Sequence, residues 1–264
     1  MYYQLGLTLS LGCVLVCARG KGRVFGPIGQ AISDYDLIEE GDRIVVGVSG
    51  GKDSLFLAWA LSDILKRSPA KFSLEAVIVD LGEPWPIDPD ALQDVCKFLE
   101  QLNIPHHVIY SNIAKVVTGY EGKKTECSLC SRLRRGCLYK TAHEMGANKV
   151  ALAHHLDDAI ETLFMNMFYQ GRLDCFRPKT YLSRQQIQVI RPLLYLEEKQ
   201  IDKTARQTGL PVVPAVCTVS GNTSRQSMKE LVAQLEMSIP GVKHQLLSVL
   251  KALWCDESLV KSCE

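Results

Sequence analysis

Short apolar runs alternate along the chain with longer stretches in which apolar positions recur every three or four residues. Residues 44–48 form the first clear run, which ends in Ser49-Gly50-Gly51-Lys52-Asp53-Ser54. Residues 55–66 then carry apolar side chains at helical spacing, so the unit reads strand, glycine turn, helix. The same grammar predicts a buried strand over 74–80 before a helix over 89–102, a short strand over 108–110, and a strand over 149–153 feeding a helix over 157–169. Alternating strands and helices predict an α/β fold: a Rossmann-like, doubly wound, mainly parallel sheet, covered on both faces, with ligands at the carboxyl ends of its strands.

Between Tyr110 and Lys149 lies an insertion with a cysteine pair and a helix expected over 131–145. A loop-rich stretch runs from Gly171 to Arg191-Pro192-Leu193, and helices are expected near 196–208, 223–236 and 242–254. The expected organisation is an N-terminal arm over 1–22, a nucleotide-binding core over 23–195 with its insertion near 111–148, and a helical C-terminal extension over 196–264. The sequence shows no internal repeat and no low-complexity segment.

Composition narrows the class: 264 residues, 47% hydrophobic and 22% charged, describe a globular chain and exclude disordered, collagen-like and coiled-coil proteins. A net charge of +1 excludes nucleic-acid binding by bulk electrostatics alone, but the charge is uneven. Residues 123–149 hold seven basic against two acidic side chains and residues 172–191 five against one, leaving −8 for the rest. Both segments are expected to flank the site and to favour a polyanion at its mouth. The apolar run over 5–16 lacks a preceding Lys or Arg and is too short to span a bilayer, so it reads as a buried arm or a misassigned start rather than a signal peptide. Ten unevenly spaced cysteines point to thiols in a reducing cytosol, hence a cytoplasmic protein with no membrane partner.

Adjacent glycines after a strand let backbone amides turn toward an anion, and the following helix N-terminus adds its positive dipole end; Ser49, Lys52 and Ser54 add side-chain donors. The turn is a phosphate cradle but not a Walker A loop, because Lys52 is followed by Asp53. His154-His155-Leu156-Asp157-Asp158 closes a later strand, where a carboxylate can hold Mg²⁺ beside phosphates and an imidazole can face a nucleotide. Cys127 and Cys130, two residues apart, can bind one soft metal centre; no second such pair exists to close a four-cysteine zinc site. Arg132, Arg134 and Arg135 follow directly and suit phosphate clamping.

The glycine turn resembles the pyrophosphate loop of the PP-loop ATP pyrophosphatases, of the adenine nucleotide alpha hydrolase-like fold. Residues 127–136, 154–158 and 191–193 resemble in order and spacing the tRNA 2-thiocytidine biosynthesis family (TtcA), over about residues 26–253. That resemblance implies an enzyme that adenylates a pyrimidine C2 carbonyl with ATP and replaces its oxygen by sulfur, cytidine in the anticodon loop first and a uridine second. It implies Cys217 as third ligand of a 4Fe-4S cluster whose open iron carries sulfide. Catalytic roles fall to Lys52, Asp53, Asp157 and the three cysteines. Nucleotide binding falls to Ser49, Gly50, Gly51, Lys52, Asp53, Ser54, Asp80, His154, His155 and Asp158, and tRNA binding to Arg132, Arg134 and Arg135. Expected partners are tRNA and a sulfur donor such as a cysteine desulfurase or free sulfide, and a homodimer is a compatible assembly. Three features depart from the family pattern: Ala153 and Leu156 stand where Gly and Arg are usual, 171–184 lacks a Met-Pro-Pro-Lys, and the Cys217 loop carries one cysteine rather than a Cys-x-x-Cys. A tRNA lysidine synthetase, a small-molecule PP-loop ligase and a noncatalytic nucleotide or metal sensor are the competing readings.

Overall fold

The computed structural model describes residues 24–120, 126–214 and 224–255. The expected arm over 1–22 and Cys217 lie outside the described residues. In chain order the elements are α1 (Phe25–Asp34), β1 (Arg43–Val48), α2 (Lys52–Arg67), β2 (Ser73–Asp80), α3 (Pro89–Gln101), β3 (His106–Tyr110), α4 (Ile113–Thr118) and α5 (Glu126–Glu144). There follow β4 (Lys149–Ala151), α6 (Leu156–Gln170), β5 (Lys179–Leu182), β6 (Ile187–Ile190), α7 (Glu198–Thr208), α8 (Ser224–Ser238) and α9 (Val242–Cys255).

The strands form one sheet in the order β3-β2-β1-β4-β6-β5, parallel throughout except for β5, which pairs antiparallel with β6. Side chains alternate across a pleated strand, and here the alternation sorts the core. Ile44, Val46 and Val48 of β1 join Leu74, Ala76 and Ile78 of β2 in a cluster with α1, α2, α3 and α7. Val45, Val77 and Val79 point to the other face, under α4 and α5. Gly47 faces α5 as well: a Cβ there would stand 2.7 Å from Leu138 Cδ2, so the glycine lets α5 lie close on β1. A third cluster holds α6, α8 and α9 together through Leu156, Ile160, Met228, Val232, Leu250 and Trp254.

Successive strands progress from β1 outward through β2 to β3, whereas β4 lies on the other side of β1. The β1–β4 boundary is therefore the switch point at which an open α/β sheet leaves a crevice at its carboxyl edge. The glycine turn leaves β1 there and the His154–Asp158 segment leaves β4 there.

Several elements differ from the sequence expectation. Helix α5 begins at Glu126 rather than near residue 131, so Cys127 and Cys130 lie in its first turns, not in a preceding loop. Helices α1 and α4 and strand β5 are additions; the loop-rich stretch holds β5 paired with β6, the strand whose end is expected at Arg191. Because β5 is antiparallel, Lys179, opposite Ile190, lies at the carboxyl edge, while the turn after Leu182 carries Arg184 to the amino edge. The basic segment over 172–191 is thus divided between the two edges and does not flank the crevice as a block.

Candidate active site

The switch point opens into a cavity of about 250 Å³. One wall is the glycine turn with Ser49, Gly51, Asp53 and Ser54; the opposite wall is α5 with Ser131, Arg134, Arg135 and Leu138. Val77 and Val79 make an apolar floor beside the end of β1 at Gly47 and Val48, and Leu152, Ala153, His154 and Asp158 close the β4 side. A neighbouring cavity of about 270 Å³ shares Asp53 and Asp158 and continues to His155, Glu161, Glu198, Arg225 and Lys229.

The glycine turn is held by its own serines. Ser54 Oγ donates to the Gly51 carbonyl at 2.8 Å and accepts from the Ser49 amide at 3.1 Å, and the two hydroxyls are 3.3 Å apart. Gly50 adopts φ +79°, the left-handed region that glycine tolerates, and its carbonyl accepts from the Val213 amide at 3.0 Å. The first N–H groups of α2, at Lys52 and Asp53, lack intrahelical acceptors and carry the positive end of the helix dipole.

Lys52 does not line the cavity wall; it reaches α7, with Nζ 2.9 Å from Glu198 Oε1 and 3.4 Å from Asp202, and 3.3 Å from Asp53. Burial pulls its pKa down, but the hydrogen bond from Lys52 to Glu198 and the three carboxylate charges outweigh that and hold it above the ordinary lysine value. Glu198 is half-buried, which pushes its pKa up, yet hydrogen bonds from Lys229 and Lys52 and their charges bring it down to about 2. Asp53 is shifted upward, chiefly by burial against the lowering charges of His155 and Lys52, and its Oδ1 is buried without a hydrogen bond.

The two aspartates after β4 separate. Asp158 lines both cavities, caps α6 reciprocally with His155 (His155 amide to Oδ2 at 3.0 Å) and accepts from Arg225 Nη2 at 2.8 Å. Asp157, expected to be catalytic, turns inward: its carboxylate pairs with Lys243 Nζ at 2.7 Å and accepts from the Glu198 amide at 2.6 Å, and it lines neither cavity. Helical geometry sets adjacent residues about 100° apart, so consecutive carboxylates serve different faces. Asp80 ends β2 as expected, but its carboxylate accepts from the Gly82 amide at 2.7 Å and the Ile87 amide at 3.3 Å, holding the following turn and lying off the cavity lining.

His154 is expected at the nucleotide and does line the cavity. Its pKa falls to about 3, first through burial and then through the charge of Arg191. His155 is buried in the cap of α6 and reaches the second cavity.

On α5, Cys127, Ser131, Arg134 and Leu138 are three or four residues apart and share one face; Ser131, Arg134 and Leu138 line the cavity, placing Cys127 about one turn beyond its rim and Cys130 next to the lining residue Ser131. Cys127 is exposed and Cys130 half-buried. Arg134 and Arg135 line the cavity; Arg132 is exposed and does not. Among the described residues no three His, Cys, Asp or Glu side chains gather around a metal position. Cys217 belongs to the undescribed segment; on its two sides, Val213 rests on Gly50, and Arg225 Nη2 and Nε bond Asp158 and Glu161.

Sequence reasoning missed Arg225, Lys229 and Glu198. A usable signal existed: Arg225 and Lys229 stand in the opening turns of α8, where the helix dipole disfavours cations, so they serve a group outside their own helix.

A pyrophosphate-type glycine turn at the switch point of a parallel sheet defines a PP-loop domain, and the model of that domain matches residues 27–233. A protein named tRNA-cytidine(32) 2-sulfurtransferase from Geobacter metallireducens is 40% identical over 250 residues, covering 90% of this chain and 93% of its own. A protein of the same name from Shewanella woodyi is 42% identical over 240 residues, 90% of this chain and 74% of its own. With such relatives matched over most of their length, the chain belongs to the tRNA-cytidine(32) 2-sulfurtransferase family within the PP-loop proteins. Among solved structures, the U34-tRNA thiolase NcsA from Methanococcus maripaludis, determined with its [4Fe-4S] cluster, shares the fold at TM-score 0.72 and 23% identity, covering 91% of this chain and 78% of that one.

Proposed function

We propose that this protein thiolates tRNA: it transfers AMP from ATP to the C2 oxygen of a cytidine, position 32 as in the name of its relatives, and sulfide then displaces AMP to leave a C2 thiocarbonyl. The observation that carries this reading is that one cavity joins the glycine turn to the helix bearing Cys127 and Cys130.

Oxide is a poor leaving group from a pyrimidine carbonyl, and adenylation converts it into AMP. The amides of Gly51, Lys52 and Asp53 and the start of α2 hold the departing pyrophosphate. Asp53 suits a Mg²⁺ ion travelling with the phosphates, because its carboxylate lines the cavity beside the glycine turn and makes only long contacts, 3.3–3.4 Å, to Lys52 Nζ. Val77 and Val79 offer an apolar face to a base, and Arg134 and Arg135 meet tRNA phosphates at the rim.

Cys127 and Cys130 fit a cluster by chemistry and spacing: two thiol side chains three residues apart on one helix near the cavity rim, with Cys217 as the third ligand. A 4Fe-4S cluster held by three cysteines supplies an iron with an open position for sulfide. Among the carboxylates, Asp53 and Asp158 face the reaction, Asp157 braces the helices behind it and Asp80 holds the turn after β2. The sulfur donor is a desulfurase or free sulfide, and the reaction is cytoplasmic; among the described residues no helix is long and apolar enough to cross a membrane.

Mass spectrometry of tRNA nucleosides from cells with and without the gene tests the proposal. Loss of 2-thiocytidine on deletion is expected; an unchanged set of thiolated nucleosides contradicts it. A tRNA lysidine synthetase would instead show loss of lysidine and has no use for the cysteine pair.

A further inference from the structure

At the back of the cavity, His154 meets a residue the proposed chemistry does not use. Arg191, immediately after β6, is buried at 8% exposure and sends Nε to His154 Nδ1 at 3.2 Å. Its Nη1 is fixed on the Arg177 carbonyl at 2.6 Å and on Thr180 Oγ1 at 3.3 Å, and its guanidinium lies 5.1 Å from the centre of the Phe176 ring. Phe176 in turn packs on the His154 ring, with centroids 4.9 Å apart. The imidazole is therefore held on one edge by a hydrogen bond and on one face by an aromatic ring.

Burial lowers the Arg191 pKa to about 10, which still leaves it cationic at neutral pH. A guanidinium donates and cannot accept, so Nδ1 must offer its lone pair. A neutral imidazole that accepts at Nδ1 carries its proton on Nε2. Among the described residues Nε2 has no hydrogen-bond partner, and the ring lines the cavity. We propose that Arg191 is a positioning residue that fixes His154 as an uncharged donor, its Nε2–H directed to an acceptor oxygen of the substrate within the cavity.

This rests on the thiolation reading for the identity of the substrate, and the oxygen belongs either to an ATP phosphate or to the pyrimidine carbonyl. A neutral donor suits either oxygen, since it hydrogen-bonds without surrendering its proton. The charged groups acting on the ring come from every side: Arg191 after β6, Arg135 on α5 and Arg225 on α8 oppose its protonation, and Asp158 on α6 favours it. Burial adds to the three arginines, so the neutral form prevails across the physiological range.

The test is nitrogen-15 NMR of the full-length protein with labelled histidine, the His154 signals assigned by their absence in H154Q. The expected result is a neutral Nε2–H tautomer that does not titrate between pH 5 and 8. An Nδ1–H tautomer, or a midpoint near the ordinary ~6.5, overturns the proposal. In R191M the ring is expected to titrate at higher pH than in the wild type, and the thiolation rate gains an acid limb; an unmoved midpoint contradicts the positioning role. Should R191M fail to fold, the His154 variants decide. H154Q keeps an N–H near the Nε2 position and is expected to stay within about 10-fold of wild type, whereas H154N, which cannot reach it, loses about 100-fold. Equal losses in the two overturn the proposal. A weaker affinity of H154N for a nonhydrolysable ATP analogue assigns the acceptor to phosphate; unchanged affinity with a lower rate on tRNA assigns it to the carbonyl. If the wild type forms no thionucleoside, the functional reading fails while the tautomer result still stands on its own.

Discussion

Asp157 and Asp158 show how one position along a helix changes a carboxylate's task. Asp158 faces both cavities, whereas Asp157 joins Lys243 in a pair in which both side chains are about one-tenth exposed. Removing one member of such a pair leaves a charge stranded, at a cost of about 3–5 kcal/mol in comparable buried cases. We expect K243M to lower the unfolding free energy by about 3 kcal/mol in urea titrations, with affinity for an ATP analogue changed by less than a factor of about three. A large loss of ATP affinity would place Asp157 back in the reaction. Gly50 allows a second residue-scale prediction. At φ +79° an alanine is strained, and its Cβ would stand 2.8 Å from Val213 Cγ2. G50A is expected to weaken ATP-analogue binding at least about 10-fold by calorimetry, since the turn must open to admit the methyl group.

At the scale of elements, α7 is tied to the glycine turn through charge. Glu198 bridges Lys52 on α2 and Lys229 on α8, and those contacts hold its pKa near 2 rather than 4.5. A carboxylate with a depressed folded-state pKa stabilises the protein above its unfolded value and loses that contribution as pH falls. The stability added by Glu198 is therefore full above about pH 4.5 and fades toward pH 2. Denaturation profiles of wild type and E198Q should diverge above pH 4.5 and converge toward pH 2; parallel profiles contradict the bridge. What the sequence revealed at this scale followed from periodicity. The unit β1, turn and α2, strand β2, and helices α3, α6 and α9 were legible because apolar runs and helical spacing agree with burial on a two-faced sheet. Helix α1 was hidden by Gly26, Pro27 and Gly29, although Pro27 falls in the first turn, where it needs no N–H partner. The four-residue strands β5 and β6 are too short for a period to register, and their antiparallel pairing breaks the alternating pattern. The site was legible where chemistry is local, in the glycine turn, whose residues Ser49, Gly51, Asp53 and Ser54 line the cavity. It was not legible where partners lie far apart in the chain, as with Arg225 on Glu161 or Arg191 on His154.

For the whole molecule, a net charge of +1 hides a division of labour. Arg134 and Arg135 sit on the cavity wall, while Arg184 is carried to the opposite edge of the sheet. The tRNA footprint should therefore centre on α5. Reversal of both charges in R134E/R135E is expected to weaken tRNA binding at least about 10-fold and to flatten the dependence of log K on log salt by about 0.7–0.9 for each phosphate no longer neutralised. R184E should leave both quantities near the wild-type values. If R184E is the more damaging, the tRNA lies on another face.

Adenylation and sulfur insertion are assigned to one and the same cleft, between the Ser49–Ser54 turn and α5. The most direct measurement of that coupling is a count, made anaerobically with reconstituted protein, ATP, sulfide and tRNA, of pyrophosphate released against thiocytidine formed. The expected result is one pyrophosphate for each thiolated cytidine, with no release when tRNA is omitted. Pyrophosphate release that ignores tRNA, or that proceeds without any thiocytidine, would contradict it.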